Sequence, residues 1–479
     1  MSLRDKVRSG LLWSTLNLAG ARLINFAVVT VLARMLGPEA FGLVSMTLVL
    51  QGLTQSIASF GLANALVQQP DVNDAQASSL FWLTVGSAAL FGAALFLGAP
   101  LAAVFFKDPA ITNLVRMAAG TLVVDSVGRV PFALLNKAIK LREIARIDLT
   151  AMLGGGACAL VAAGLGWGVW SLMLQGALTA LLSSGLALRA ASFRVRFERP
   201  ANVGWAFRYG INMIAATLSS QIAYGADRLL IGRYIGSAAV GLYTRAWSLA
   251  DVVSSSVVDI STRVLFPTLS SLQSKEDSRR LVERALSALG FVLIPASVGV
   301  VCVAEPAITV LYGEQWLPAA PLLKALAISL LLLRLSAPLT TIFMARGRTD
   351  LMLLWSASAG AVVAGTVFVA ARYGDTRTVA MAHAGVSLAL FVPRLFAAGY
   401  LIGLPAHRAL GLLIGPTLCS AVMAAVVIAL RELVLQGQPA LVQLLALSTT
   451  GGVTYLLLAH TLKLSAFTQL RALARSRAI

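Results

Sequence analysis

The chain is built from long apolar runs separated by short polar hinges. A representative run, LFWLTVGSAALFGAALFLGAPLAAVFF at positions 80–106, exceeds the roughly 20 residues that a helix needs to cross a bilayer. The alternation that marks barrel strands is absent, and Ala, Leu and Gly dominate. Backbone polar groups in lipid must be satisfied within their own segment, so these runs are expected to be helices. The pattern predicts fourteen spans, at 10–34, 39–67, 76–106, 110–136, 147–166, 168–188, 209–232, 238–262, 285–312, 318–345, 350–371, 378–402, 409–432 and 440–462. The amino-terminal apolar run is too long for a signal peptide and lacks a clean small-x-small cleavage site, so it is expected to be a retained first span.

Composition agrees with the pattern. Of 479 residues, 58% are hydrophobic and 12% charged, and mean hydropathy is +0.83. A soluble chain of this length needs far more polar surface to cover its core. The net charge of +18 raises the question of nucleic acid. The basic residues fall in short hinges and form no face long enough to track a phosphate backbone, so no nucleic-acid partner is expected. Membrane topology accounts for them instead. With the amino terminus in the cytoplasm, cytoplasmic segments carry 24 Lys and Arg and the opposite side carries 6. That bias places both termini in the cytoplasm. The hinges are too short for a soluble catalytic domain. The longest, near 263–284, is expected to hold a short amphipathic helix on the cytoplasmic surface.

The first and seventh spans end alike. A shift of 199 positions lays Arg34, Gly37, Ala40, Gly42 and Leu43 on Arg233, Gly236, Ala239, Gly241 and Leu242. Both copies sit at a tight extracytoplasmic turn, where glycine suits the bend and close helix packing. Six spans separate them, so the copies share an orientation and the relating axis runs along the membrane normal. The expected architecture is an all-α membrane protein of about fourteen transmembrane helices. An N-terminal lobe (1–200) and a C-terminal lobe (201–405) hold six helices each, and residues 406–479 add two helices and a basic cytoplasmic tail.

Charges inside spans are costly, about 2.5–3.5 kcal/mol each on insertion scales, and face a wet cavity or a partner. Arg22, Asp125, Arg129, Asp251, Arg334 and Arg394 are the deepest. Four are arginines, and a cleft holding them would attract a diphosphate, which guanidinium grips with two parallel hydrogen bonds. An exporter of cationic drugs would show the reverse bias. Arg22, Arg129, Arg334 and Arg394 are therefore the candidate cargo cations, with Asn25, Gln51, Gln55 and Gln221 as amides suited to sugar hydroxyls. Asp125 and Arg129, at i and i+4, suit a local ion pair equally well, and amides also glue membrane helices together. Asp227, Arg228 and Arg245 lie near the extracytoplasmic ends of spans 7 and 8, placed for a gate or for snorkelling. Asp125 and Asp251 are the acidic residues near midmembrane, the candidate sites for a coupling proton or Na⁺. No other cofactor is expected. Cys158, Cys302 and Cys419 form no CxxC, and His383, His407 and His460 are scattered, so no metal site is expected.

DRLLIGRYIGSAAVGLYTRAWSLAD (227–251), LFPTLSSLQ (265–273), LYGEQWLPAAPLLKALA (311–327) and RLINFAVVTVLARMLGPEAFGLVSM (22–46) carry a resemblance. They are similar to the polysaccharide-export flippases of the multidrug/oligosaccharidyl-lipid/polysaccharide superfamily, the colanic acid exporter-like subgroup in particular. The resemblance implies two six-helix lobes around a central cleft. It implies an undecaprenyl-diphosphate-linked glycan as cargo, moved across the cytoplasmic (inner) membrane by alternating access for exopolysaccharide or lipopolysaccharide synthesis. A polysaccharide polymerase and export machinery would be the partners. A peptidoglycan-precursor flippase and a multidrug antiporter of the same superfamily are the alternatives. A membrane polymerase or glycosyltransferase is the rival from another class. The chain has no DxD, no HExxH, no phosphate loop and no long extracytoplasmic loop, so catalysis is not expected.

Overall fold

The computed structural model describes residues 3–59, 72–191, 225–272 and 274–464, with a few isolated positions outside these ranges; along the first helix, side chains are described from Asn17 onward. The first part of the chain forms α1 (Leu3–Met35), α2 (Pro38–Ala58), α3 (Asp74–Phe106), α4 (Ala110–Lys137), α5 (Leu141–Gly164), α6 (Val169–Ala190) and α7 (225–234). There follow α8 (Ser237–Ser271), α9 (Lys275–Cys302), α10 (Ala304–Leu311), a 3₁₀ turn (Glu314–Ala319), α11 (Ala320–Leu335) and α12 (Ala337–Ala345). The chain continues through α13 (Thr349–Tyr373), α14 (Thr376–Ile402), α15 (Ala406–Leu433) and α16 (Ala440–Thr461). No strand occurs among the described residues.

Eleven segments among the described residues are long and apolar enough to cross a bilayer. Two further expected spans, α1 and α8, are helices of 33 and 35 residues. The span expected at 209–232 lies mostly outside the described residues. The chain is a multi-pass membrane protein.

Three expectations change. The span expected as one helix at 285–312 is interrupted at Val303, between α9 and α10. The stretch near 263–284 forms no separate surface helix. Its first part continues α8 to Ser271, and its second part begins α9, where Ser274 caps the helix by accepting from the Asp277 backbone N–H. Acidic residues in that first turn, Glu276 and Asp277, suit the positive end of the helix dipole. The span expected as one helix at 318–345 is broken at Ser336 into α11 and α12. Pro338 brings no N–H to the ladder and disfavours helical geometry in the residue before it. The Ser336 hydroxyl and backbone N–H both donate to the Leu332 carbonyl at the end of α11, at 2.9 and 3.2 Å.

The chain divides into two compact units, Met1–Gly241 and Leu242–Ile479. In the first, α3 packs on α4, α4 on α6 and α5 on α6. In the second, α9 packs on α11, α11 on α14 and α13 on α14. These are the same three pairings, displaced by six spans. The second unit's core gathers Leu286, Leu293, Leu339, Phe343 and Leu395, all nearly fully buried.

The repeated glycines meet each other within the first unit. A Cβ at Gly42 would overlap the carbonyl oxygen of Ser237, and one at Gly241 would overlap the carbonyl oxygen of Pro38. Pro38 and Ser237, like Gly42 and Gly241, are separated by the same 199 positions. The contact is therefore reciprocal, as across a two-fold axis. The first turns of α2 and α8 touch backbone to backbone, a distance only glycine allows. The turn before α8 also needs glycine, since Gly236 has φ +121°. Arg233, the repeat's arginine, donates from Nη1 to the Phe105 carbonyl at 2.6 Å. It thereby satisfies the exposed end of α3, where a cation also suits the dipole.

Candidate functional site

In the first unit the midmembrane charge is built on α4 and α2. Asp125 and Arg129 are one turn apart on α4, and Arg129 donates to Asp125 Oδ2 from Nη2 at 2.6 Å and from Nε at 2.9 Å. Gln55 of α2 donates to the same oxygen at 2.7 Å. One carboxylate oxygen thus takes three donors and ties α2 to α4. Arg129 remains 43% exposed along its side chain, so the guanidinium is neutralised without being sealed. The three residues border a cavity of about 20 Å³ together with Ser59, Thr84 and Ser126. That space admits about one water among polar partners.

The second unit carries its own pair between the equivalent helices. Arg334 of α11 donates through Nη2 to Asp251 Oδ1 of α8, with side chains 27% and 30% exposed. Arg334 sits in the last turn of α11, next to the break at Ser336. A cation there faces the negative end of the helix dipole. Its Nε is buried without a hydrogen-bond partner among the described residues. The guanidinium is thus only half satisfied and keeps unused donor capacity beside an interrupted helix.

The remaining candidates are placed as follows. Arg394 of α14 stands over the Trp355 ring of α13, 5.7 Å from its centroid. Arg22 of α1 is half-buried and Asn25 is exposed. Gln51 is half-buried. Gln221 lies against α2, its Nε2 2.5 Å from where a Cβ on Gly52 would be. Asp227 is buried and accepts the Arg228 backbone N–H at 2.8 Å. It makes no ion pair among the described residues. Arg228 and Arg245 are half-buried. The structure thus joins Gln55, Asp125 and Arg129 in one cluster, and Asp251 and Arg334 in another. Among the described residues no group of three or more His, Cys, Asp or Glu could hold a metal.

One charged cluster escaped the reading of the sequence. Glu305 of α10 pairs with Lys324 of α11 at 2.7 Å and with Arg431 of α15. It fastens α15 to α10 and α11. The only signal was the presence of Lys324 inside a span and Arg431 at the end of another. The two cations hold the Glu305 carboxyl below the usual glutamate range, Lys324 more than Arg431. The folded value therefore lies below the unfolded one. The stabilisation is complete above the unfolded value, about 4.5, and disappears as pH falls through the lower folded value. Glu305→Gln is expected to lower the thermal unfolding midpoint of purified protein at pH 7 by a few degrees. The difference from the parent is expected to close as the pH is taken below about 4.5.

The comparisons with known proteins agree with this architecture. The family model described as "Polysaccharide biosynthesis protein" matches residues 31–321, more than half of the chain. The lipopolysaccharide biosynthesis protein WzxC of Escherichia coli K12 is 28% identical over 359 residues, which are 73% of this chain and 72% of that protein. The succinoglycan biosynthesis transport protein ExoT of Rhizobium meliloti 1021 is 29% identical over 319 residues, 66% of this chain and 65% of its own length. Among solved structures, the lipid II flippase MurJ in its inward closed conformation superposes with a TM-score of 0.76 at 14% identity. The superposition covers 94% of this chain and 98% of that one, and it shows a shared transporter fold. With more than half of its length matched, this membrane-spanning chain is a member of the polysaccharide biosynthesis protein family.

Proposed function

We propose that the chain is a flippase that carries undecaprenyl-diphosphate-linked oligosaccharide units across the cytoplasmic membrane for exopolysaccharide or lipopolysaccharide synthesis. The observation that carries this reading is Arg334. It is a guanidinium inside a broken membrane span, half-neutralised by Asp251 and with donor capacity left over. A diphosphate fits that capacity, and a cationic drug does not. Relatives named for lipopolysaccharide biosynthesis and succinoglycan transport support the same cargo class. Both termini lie in the cytoplasm, as the distribution of basic residues argues. The chain works by alternating access of its two six-span halves and performs no catalysis of its own. A polysaccharide polymerase and export machinery would take up the product.

Deleting the gene is expected to remove surface polymer and to leave lipid-linked precursor accumulated inside the cell. Reintroduced alanine variants of Arg22, Arg129, Arg334 and Arg394 are expected to restore less polymer than the parent, Arg334→Ala least. Full export by all four at normal protein levels overturns the reading. Loss of viability on deletion, without loss of a surface polymer, would favour a peptidoglycan precursor as cargo.

A further inference from the structure

Trp247 stands where neither core packing nor the bilayer accounts for it. Tryptophan in membrane proteins concentrates at the two water interfaces, where its amphipathic ring sits at headgroup level. Trp167 and Trp170, where α5 passes into α6, fit that habit and are 54% and 40% exposed. Trp316 fits the other common role, being fully buried beside Tyr312. Trp247 lies ten residues into α8, about 15 Å along the helix and so near the middle of the bilayer. There it is only half-buried.

The ring is held by neighbours from its own unit. Tyr243, one turn earlier on α8 and fully buried, lies with its ring tilted 31° from the indole and centroids 6.1 Å apart. The His383 imidazole of α14 meets the indole at 89°, with centroids 5.3 Å apart. That imidazole is itself fixed. Its Nδ1 lies 2.7 Å from the Ser329 Oγ of α11, and the same oxygen is 2.7 Å from the Ser387 Oγ of α14. Ser387 donates its hydroxyl to the His383 carbonyl at 2.8 Å, and Ser329 is fully buried. Three helices therefore set the orientation of one half-buried indole. A side chain fixed in advance loses little entropy when a ligand arrives, which is the condition for a recognition surface.

Its position gives the ring something to recognise. Trp247 and Asp251 stand at i and i+4 on α8, so they share a face one turn apart, about 6 Å. Asp251 in turn holds Arg334. The indole thus lies one turn along the helix from the ion pair whose guanidinium would take the cargo diphosphate. In a glycosyl diphosphate the first sugar ring is joined to the nearer phosphate through a single oxygen, so ring and phosphate are neighbours on that same scale. A pyranose has an apolar face made of its axial C–H bonds and a rim of hydroxyls. The apolar face suits the π-surface of an indole, whose negative quadrupole attracts C–H groups.

We propose that Trp247 is the platform on which the first sugar of the cargo stacks while Arg334 holds the adjoining phosphate. The proposal rests on the flippase reading and adds a source of selectivity to it. A guanidinium accepts any lipid diphosphate, whereas the indole favours one that carries a sugar ring. Stacking reads the apolar face and not the hydroxyl pattern, so the subsite selects a pyranose and tolerates its substituents. With the cytoplasmic termini proposed above, Trp247 lies on the extracytoplasmic side of Asp251 along α8. The glycan then precedes its phosphates in the direction of export.

The test uses the purified full chain and two polyprenyl diphosphates labelled on the lipid tail, one bare and one carrying N-acetylglucosamine. Binding is read as fluorescence anisotropy. The parent is expected to bind the sugar-bearing probe about tenfold more tightly than the bare one. Trp247→Leu keeps apolar bulk and removes the ring, and it is expected to erase that preference by weakening the sugar-bearing probe alone. Trp247→Phe keeps an aromatic face and is expected to retain a preference of about threefold. Arg334→Ala is expected to weaken both probes alike. A second measurement is made on the parent chain with 5-fluorotryptophan in place of tryptophan. The Trp247 resonance, identified by its absence in Trp247→Phe, is expected to shift with the sugar-bearing probe and to stay in place with the bare one. A parent without preference, a leucine variant that keeps the preference or weakens both probes equally, or a Trp247 resonance that ignores the sugar overturns the proposal. A parent that binds neither probe overturns the flippase reading and, with it, the subsite.

Discussion

Gly241→Ala and Gly42→Ala are expected to destabilise the protein severely, each by about 3 kcal/mol or more, at the upper end of overpacking costs. In both cases the added methyl meets a carbonyl oxygen of the opposite first turn, Pro38 for Gly241 and Ser237 for Gly42. A flexible side chain would swing aside, but a helix backbone moves only by separating α2 from α8. The measurement is the thermal midpoint and the monodisperse fraction of purified variants in detergent. Gly86→Ala and Gly120→Ala are the controls. Both glycines sit inside helices with open space where a Cβ would go, and alanine there gains up to about 1 kcal/mol of helix propensity. If the Gly241 variant matches these controls, the reciprocal contact has no energetic weight.

Arg334→Ala is expected to have the largest effect on transport, and its effect on stability is separable. Removing the guanidinium strands the Asp251 carboxylate among membrane helices. Breaking a fully buried pair costs about 3–5 kcal/mol, and the partial exposure of this one reduces that to about 1–3 kcal/mol. The double variant Asp251→Ala/Arg334→Ala leaves no stranded charge, so it is expected to regain most of the lost stability. Transport is expected to stay at least a hundredfold below the parent in both. Recovery of transport together with stability in the double variant would reduce Arg334 to a structural role. Asp251→Asn, which keeps a hydrogen bond to Arg334 while removing the competing charge, is expected to hold cargo more tightly and release it more slowly.

The two candidate clusters were legible to different degrees. Asp125 and Arg129 are four residues apart on one helix, so their pairing could be written down from spacing alone. That Gln55 adds a third donor could not, because it comes from a separate span. Asp251 and Arg334 were both evident as midmembrane charges. Their pairing across 83 residues was not, nor was the break at Ser336 that places Arg334 at a helix end. His383 read as one of three scattered histidines. Only Ser387, one turn beyond it, hinted at a network, and the decisive partner Ser329 is 54 residues away.

By itself the sequence determined the membrane-spanning helices and the internal repeat. These follow from run length and from glycines recurring at a constant offset, both properties local to the chain. Tertiary structure alone decided which guanidinium meets which carboxylate, which serines hold His383, and that the repeated glycines Gly42 and Gly241 pack reciprocally. The reason is that bilayer insertion depends on how apolar each segment is, whereas a hydrogen bond or a backbone contact depends on the rotation and depth of two helices relative to each other. Small residues and many weak packing contacts set those two quantities, and no single stretch of sequence encodes them.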